Sequence, residues 1–396
     1  MTSQPAPSIA IACGGTGGHL FPGLAVAEQL RHRGCAVMLL ISPKEVDQHA
    51  VKMTHGMEIV TLPAIGLSRG RAIAFLRSFV RSYRRAKMHF KNRPPRAVLA
   101  MGGFTGAPPV LAAKRLGAQT FLHESNAIPG RANRWLTHAV DGVFVGFPQA
   151  AARLRHPNTL VTGTPVRQQF HPRDAYTCRV ALGLDPGRPV VLVMGGSQGA
   201  GGVNELVLQA MPLLAKAAPE MQWLHLAGPS DARQVENASR ALHVKAVVHS
   251  FLAEMELALG AATVAISRAG ASSIAELAAM RVPAVFVPYP AATDNHQFYN
   301  ARALEETGAA RLLEQSGATA ETLARWILEL LRDTAVREKM QAALAQWHAP
   351  QAAGRIADAL LKSADSPVRA REHGSETCGQ SCPDSAGAER QSHSAA

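Results

Sequence analysis

"RPVVLVMGGSQGAGGVNELV", residues 188–207, reads as an apolar strand, a glycine-rich turn and the opening of a helix. The same design stands near the start of the chain, where the apolar run 9–12 meets "CGGTGGHLFPG", residues 13–23. A strand that ends in glycines and passes into a helix brings backbone N–H groups to a helix N-terminus, where anions are held. Two copies of that unit predict two tandem Rossmann-like halves.

Working outward, short aliphatic runs at 37–41, 98–100, 120–122 and 143–145 alternate with helical patterns such as 24–33 and 107–116. The alternation resumes after 188, with strands expected at 222–226, 246–249, 263–266 and 284–287. Such a chain folds as doubly wound α/β sheets. The expected division is a first domain at 8–163, a linker at 164–187 in a stretch rich in turn residues, a second domain at 188–362, and a tail at 363–396. That tail has almost no bulky apolar residue and is expected to be disordered. Ligands of open α/β sheets sit beyond the carboxyl ends of the strands, so both glycine turns are expected at one cleft.

The chain has 396 residues, 47% of them apolar, enough for two cores. Its N-terminus lacks a basic segment, and the first apolar run is too short for a signal peptide or a membrane span. Cys13, Cys35 and Cys178 are scattered, and Cys378 and Cys382 have no partner pair at metal-ligand spacing, which fits a reducing cytoplasm. The net charge of +12 is local in origin: no acidic residue lies between Glu58 and Glu124, while arginines and lysines crowd into 69–96. Within that segment Ile73, Leu76, Phe79, Val80 and Tyr83 recur at helical spacing, with Arg77, Arg81, Arg84 and Arg85 on another face. This is the pattern of a helix lying on an anionic membrane surface, and also of an ordinary helix with its apolar stripe turned inward. A nucleic-acid interface is the weaker account, since aromatic residues make up only 5% of the chain and no binding motif is present.

The first glycine turn is not a Walker loop, because no Lys-Ser/Thr pair closes it, and it misses the third glycine of the dinucleotide fingerprint. The second strand, "VMLLISPK", ends at Ser42 without the acidic residue that a nicotinamide dinucleotide needs for its ribose. "SRAGASSIAELAAM", residues 267–280, suits a nucleotide better: Gly270 to Ser273 open a helix with free N–H donors, and Glu276 stands one turn on, where a carboxylate accepts ribose hydroxyls. The serines also read as plain N-caps. A further polar cluster, Asp294, Asn295, His296 and Gln297, follows in "PYPAATDNHQFYNA". No D-x-D sequence occurs, so a metal-bridged pyrophosphate is not expected.

Taken in order, GGTGGH, MGGSQGA, SRAGASSIAE and NHQ resemble the MurG family of bacterial glycosyltransferases. "MGGFTGAPPVLAA" at 101–113, "HESNAIPGRANRWL" at 123–136 and "GTPVR" at 163–167 extend the resemblance over about 8–361; Ser125 and Thr164 depart from the glutamine and asparagine of many relatives. The resemblance implies a GT-B fold with the acceptor side mainly in the first domain and the nucleotide mainly in the second. It implies inverting transfer of N-acetylglucosamine from UDP-GlcNAc to a muramyl-pentapeptide on undecaprenyl pyrophosphate, without cofactor or metal, at the cytoplasmic face of the inner membrane. The donor-binding motifs match Thr16, Gly17, Gly18, Asn126, Arg167, Ser197, Leu252, Ala271, Ser272, Ser273, Ile274, Ala275, Glu276 and Gln297. The general base is expected to be His19, kept neutral by the helix dipole, or Glu124, beside His123 at the same sheet edge. A diacylglycerol glycosyltransferase and a UDP-GlcNAc epimerase are the rival activities.

Overall fold

Strands covered on both faces read as unbroken apolar runs, and the two central strands do so: β1 (Ser8–Ala12, SIAIA) and β8 (Val190–Met194, VVLVM). In the computed structural model, which describes residues 6–44, 56–63, 72–196 and 199–365, each of them lies inside its own parallel sheet, third from one edge. The first sheet joins β2 (Ala36–Ile41), β3 (Glu58–Thr61), β4 (Ala97–Ala100), β5 (Gln119–Glu124), β6 (Gly142–Val145) and β7 (Thr159–Val161) in the order β3-β2-β1-β4-β5-β6-β7. The second runs β10-β9-β8-β11-β12-β13, with β9 (Gln222–Leu226), β10 (Ala246–His249), β11 (Val264–Ser267), β12 (Ala284–Phe286) and β13 (Arg311–Leu312). Ile9 pairs with Val37 on one side and Ala97 on the other, and Val191 with Trp223 and Val264. Strand order reverses beside β1 and beside β8, so each glycine turn sits at a topological switch point.

The first sheet is covered on one face by α1 (Gly17–His32) and on the other by α2 (Ala72–Asn92), α3 (Ala107–Arg115), α4 (Arg131–Leu136) and α5 (Pro148–Leu154). Around the second sheet lie α6 (Ala175–Ala181), α7 (Gly201–Ala217), α8 (Ala232–Ala241), α9 (Met255–Ala261), α10 (Ala271–Met280), α11 (His296–Glu305), α12 (Ala320–Arg332) and α13 (Thr334–Trp347). A final helix, α14 (Ala352–Asp365), does not stay with them: Ala353, Ile356, Ala357 and Leu360 are buried in the core beneath α1.

Two expected boundaries change in consequence. The segment expected as linker, 164–187, places Phe170, Cys178 and Leu184 in the second core and folds α6 against α9. The second domain, expected to reach 362, ends before α14, whose apolar residues fit the first core. The helix continues to Asp365, and the rest of the tail, 366–396, lies outside the described residues. Strands β3, β7 and β13 were not expected; four, three and two residues are too short to carry a period. Helix α1 begins at Gly17, seven residues before its expected start, and runs through Pro22.

Candidate active site

The turn after β1 is built before it is chemical. A Cβ on Gly14 would fall 2.2 Å from the Ser42 backbone nitrogen, so this glycine is needed for packing. Thr105 Oγ1 donates to the Gly14 carbonyl at 2.6 Å and Lys44 Nζ to that of Gly15 at 2.7 Å, which pins the turn. Thr16 is the extended N-cap of α1, and its side chain does not close the first turn; Oγ1 lies instead 3.3 Å from His19 Nδ1. The N–H groups of Gly17 and Gly18 thus open the helix with no intrahelical acceptor. The imidazole of His19 rests on Gly102 and Gly103, where a Cβ would come within 3.1 Å of the ring and φ is +111° and +75°.

Glu124 is held on all sides by the loop that follows it. It is 1% exposed, and its carboxylate accepts four hydrogen bonds: from the Asn126 backbone and side chain at 2.8 and 3.1 Å, the Gly130 backbone at 2.9 Å and Asn133 Nδ2 at 2.7 Å. Both oxygens are engaged, which makes Glu124 the anchor of the 126–133 loop. Asn133 carries that order onward, its Oδ1 accepting the Gly103 N–H at 3.1 Å under His19. His123 is buried too, between the Gly163 carbonyl at 3.2 Å and Ser125 Oγ at 3.2 Å, and burial pushes its pKa down to about 4. Ser125 and Thr164 are both buried, so the two departures from the motif occupy packing positions.

The two domains meet helix end to helix end. Ser272 Oγ, in the first turn of α10, donates to the Gly18 carbonyl at 3.1 Å. In an unbroken helix that carbonyl would accept from residue 22; Pro22 has no N–H, so the oxygen is left for the other domain. Two helix N-termini, each with its positive dipole end, therefore converge on one place. Ala271 and Ile274 are buried in the second core, so they offer the site backbone only. Behind this point Arg167 lies between the rings of Phe21 and Phe170, at 4.7 and 5.1 Å, with Nε buried and without a hydrogen-bond partner among the described residues. Its charge acts on Glu276 from one side and Glu28 from the other. Desolvation outweighs that attraction at Glu276, raising its pKa to about 7.

A second bridge uses Asn300, fully buried in α11. Its Oδ1 accepts from the Ala127 N–H at 2.8 Å, and its Nδ2 donates to Asn126 Oδ1 at 3.0 Å and to the Ala269 carbonyl at 3.1 Å. Asn126 and the loop before α10 are thereby tied to one side chain. Nearby, Asp294 accepts from Arg131 at 3.0 Å and Arg134 at 2.6 Å across the same boundary. Gln297 Oε1 accepts from the Tyr289 N–H at 2.9 Å, while Arg268 is a strut, donating to the carbonyls of Val287 and Pro288 at 2.9 Å each.

Of the expected residues, Ser272 and Gly18 meet across the boundary, Thr16 meets His19, Asn126 is held by Glu124 and Asn300, and Arg167 acts on Glu276 through its charge. Leu252 packs against the second core, and Ser197 lies outside the described residues. Asn133 and Asn300 were not expected; an asparagine inside a helix carries no local signal, and only the fold shows its partners. The helical pattern was expected only from residue 24, after Pro22, so the carbonyl that this proline frees carried no sequence signal.

Helix α2 splits its apolar stripe: Phe79 and Tyr83 pack against the first core, and Ile73, Leu76 and Val80 face outward. The buried positions are Ser78, Ser82, Ala86 and Phe90, four residues apart, and these small residues seat the helix on α3. Ile73 is 70% exposed and Leu76 61%, with Val80 and Met88 also exposed. Phe75 meets Phe104 edge-on at 5.5 Å. Arg69 and Arg71 lie outside the described residues. Among the described residues no helix is long and apolar enough to cross a membrane.

Residues 9–145 match the glycosyltransferase family 28 N-terminal domain and 190–356 its C-terminal domain. A protein of Anaeromyxobacter sp. (strain K), named UDP-N-acetylglucosamine--N-acetylmuramyl-(pentapeptide) pyrophosphoryl-undecaprenol N-acetylglucosamine transferase, is 36% identical over 89% of this chain and 92% of its own. A protein of the same name from Xanthomonas euvesicatoria pv. vesicatoria (strain 85-10) is 39% identical over 92% of this chain and 84% of its own. Among solved structures, Acinetobacter baumannii MurG aligns with a TM-score of 0.70 at 28% identity over 90% of this chain and all of that one. A UDP-N-acetylglucosamine 2-epimerase assigned to Listeria monocytogenes aligns at TM-score 0.67 over 90% of this chain and 96% of its own, but at 15% identity it shares the fold alone.

Proposed function

The chain belongs to the MurG family within glycosyltransferase family 28, and on that premise we propose how its residues transfer N-acetylglucosamine from UDP-GlcNAc to the undecaprenyl-pyrophosphoryl muramyl-pentapeptide. The observation that carries the reading is the meeting of two helix N-termini across the domain boundary, joined by Ser272 and Gly18. The diphosphate of UDP takes that place, where N–H groups and two dipole ends supply positive potential without a metal. Glu276 receives the ribose hydroxyls, Arg167 neutralises charge behind them, and Asn126, Leu252, Gln297 and Ser197 complete the donor side.

His19 is the base. The acceptor hydroxyl attacks the anomeric carbon on the face opposite UDP; as that C–O bond forms, the bond to the β-phosphate oxygen breaks and UDP leaves with the electron pair. The hydroxyl proton passes to the imidazole, which the Gly102–Gly103 turn and Thr16 hold in place. One displacement inverts the sugar. His19→Ala should lower kcat by about 10²–10⁴-fold, the usual scale of general-base catalysis. A raised acceptor KM with unchanged kcat would reduce the ring to a binding role.

The exposed Ile73, Leu76, Val80 and Met88 of α2, edged with arginines, support a peripheral seat for the enzyme on the anionic cytoplasmic face of the inner membrane. The deciding assay supplies UDP-GlcNAc and lipid-pyrophosphoryl muramyl-peptide, with and without excess EDTA. A β-linked disaccharide in both arms is expected. Epimerised UDP-sugar without disaccharide would refute transfer, and a rate lost in EDTA and restored by Mg²⁺ would return the phosphate work to a metal.

A further inference from the structure

A concavity of about 660 Å³ lies between residues 128–140 and the end of α5. It is lined by Arg134, His138, Arg153, Arg155 and His156, with no carboxylate in the lining. The segments that form most of it, 137–140 and 152–157, lead into the amino ends of β6 and β7, the sheet edge opposite the glycine turns. Leu154 and Val140 give it an apolar floor.

The cations differ in their freedom. The His156 ring is committed on both sides, accepting from the Asn158 N–H at 3.2 Å and facing the Val140 carbonyl at 3.3 Å. Arg134 is engaged by Asp294 on one side. Arg153, Arg155 and His138 are exposed and have no side-chain hydrogen bond or ion pair among the described residues. Position supplies the second half of the argument. The core layer that holds Leu154, Val140 and Leu136 is also the layer that holds Ala86 and Phe90 of α2. The groove and the outward stripe of α2 thus lie on one side of the first sheet. Trp135, 55% exposed beside Arg134, adds an aromatic of the kind found at membrane–water interfaces.

We propose that this groove binds the phosphate headgroup of an anionic phospholipid, with Arg153, Arg155 and His138 as the donors and the apolar floor beneath them. The inference rests on the reading that α2 lies on a membrane, and it adds a defined headgroup site at the other end of the same layer. Two arginines near a charged surface contribute a factor of about 5 each.

The test uses the full chain and vesicles of phosphatidylcholine, with or without one third phosphatidylglycerol. Arg153→Gln/Arg155→Gln should bind the anionic vesicles about 30-fold more weakly than the parent, with kinetics on a water-soluble acceptor unchanged. Arg233→Gln/Arg240→Gln, the same loss of charge on α8 in the other domain, should bind like the parent. Equal losses in both double variants would mean diffuse attraction and overturn the site, as would an unchanged groove variant. Displacement of the parent by millimolar inorganic phosphate at matched ionic strength would make the groove a free-phosphate site and overturn the lipid assignment. Failure of the parent to bind either vesicle would instead remove the underlying membrane reading.

Discussion

Two titratable groups, the buried His225 and the partly buried Glu276, respond to pH with opposite sign. Burial lowers His225, whose ring faces Asn204 Oδ1 at 2.8 Å, to a pKa of about 4 from an ordinary 6.5. Between those values the unfolded chain binds more protons than the folded one, so stability falls as the pH drops from about 6.5 to 4. His225→Gln, which keeps a donor for Asn204, should flatten that limb in thermal melts. Glu276 is raised to about 7 from 4.5, so its contribution is full below 4.5 and is lost as the pH rises through 7. The carboxylate form is the one that accepts ribose hydroxyls, and UDP-GlcNAc affinity should therefore rise with pH through 7. Glu276→Ala should weaken the donor by about 1.5–3 kcal/mol and abolish that dependence; calorimetry showing the parent's affinity and pH profile would take Glu276 out of the site. At Pro22 the change is in the backbone. Pro22→Ala restores an N–H for the Gly18 carbonyl and sets it against Ser272, so the melting temperature should hold while the donor KM rises several-fold. A fall in both stability and affinity would show that the proline matters for packing instead.

Helix α2 separates packing from surface chemistry along one element. Ala86 is fully buried against the first core, and Ala86→Leu should cost about 1–3 kcal/mol through overpacking. Leu76→Ser removes an exposed side chain and should leave stability within about 0.5 kcal/mol while reducing vesicle association. If the serine variant melts lower and binds vesicles normally, the stripe is a covered packing surface. The sequence already carried the period of this helix and its arginines. It did not carry which way the stripe faces, because serine and alanine give no hydropathic signal and only contact with α3 turns them inward. The same limit explains the unexpected strands, whose two to four residues pair only because a neighbouring edge is present. The glycine turns were legible because a strand ending in glycines before a helix is a local signature. The anchoring role of Glu124 was not legible for the converse reason: its four donors come from Asn126, Gly130 and Asn133, and the geometry that gathers them on one carboxylate belongs to the folded loop.

On the scale of the whole molecule, Asn300 and Asp294 each make two polar contacts across the domain boundary, and Asn300 is buried. Asn300→Ala would leave the buried Ala127 N–H without an acceptor, a cost of about 1–3 kcal/mol. It should also loosen closure, seen as a larger radius in small-angle scattering and a weaker donor affinity. A variant destabilised but equally compact and equally able to bind UDP-GlcNAc would confine Asn300 to local packing. The other connection is α14, which returns from the second domain to fill the core under α1. Deleting 352–365 should therefore make the first domain, not the second, the early target in limited proteolysis. That return path also imposes an order in time. During synthesis the ribosome delivers β1 and α1 first, but the residues that cover them, Ala353 to Leu360, emerge only after the entire second domain has been made. The nascent first half must wait with an apolar face bare, open to chaperones, and the enzyme is completed by the late arrival of one helix.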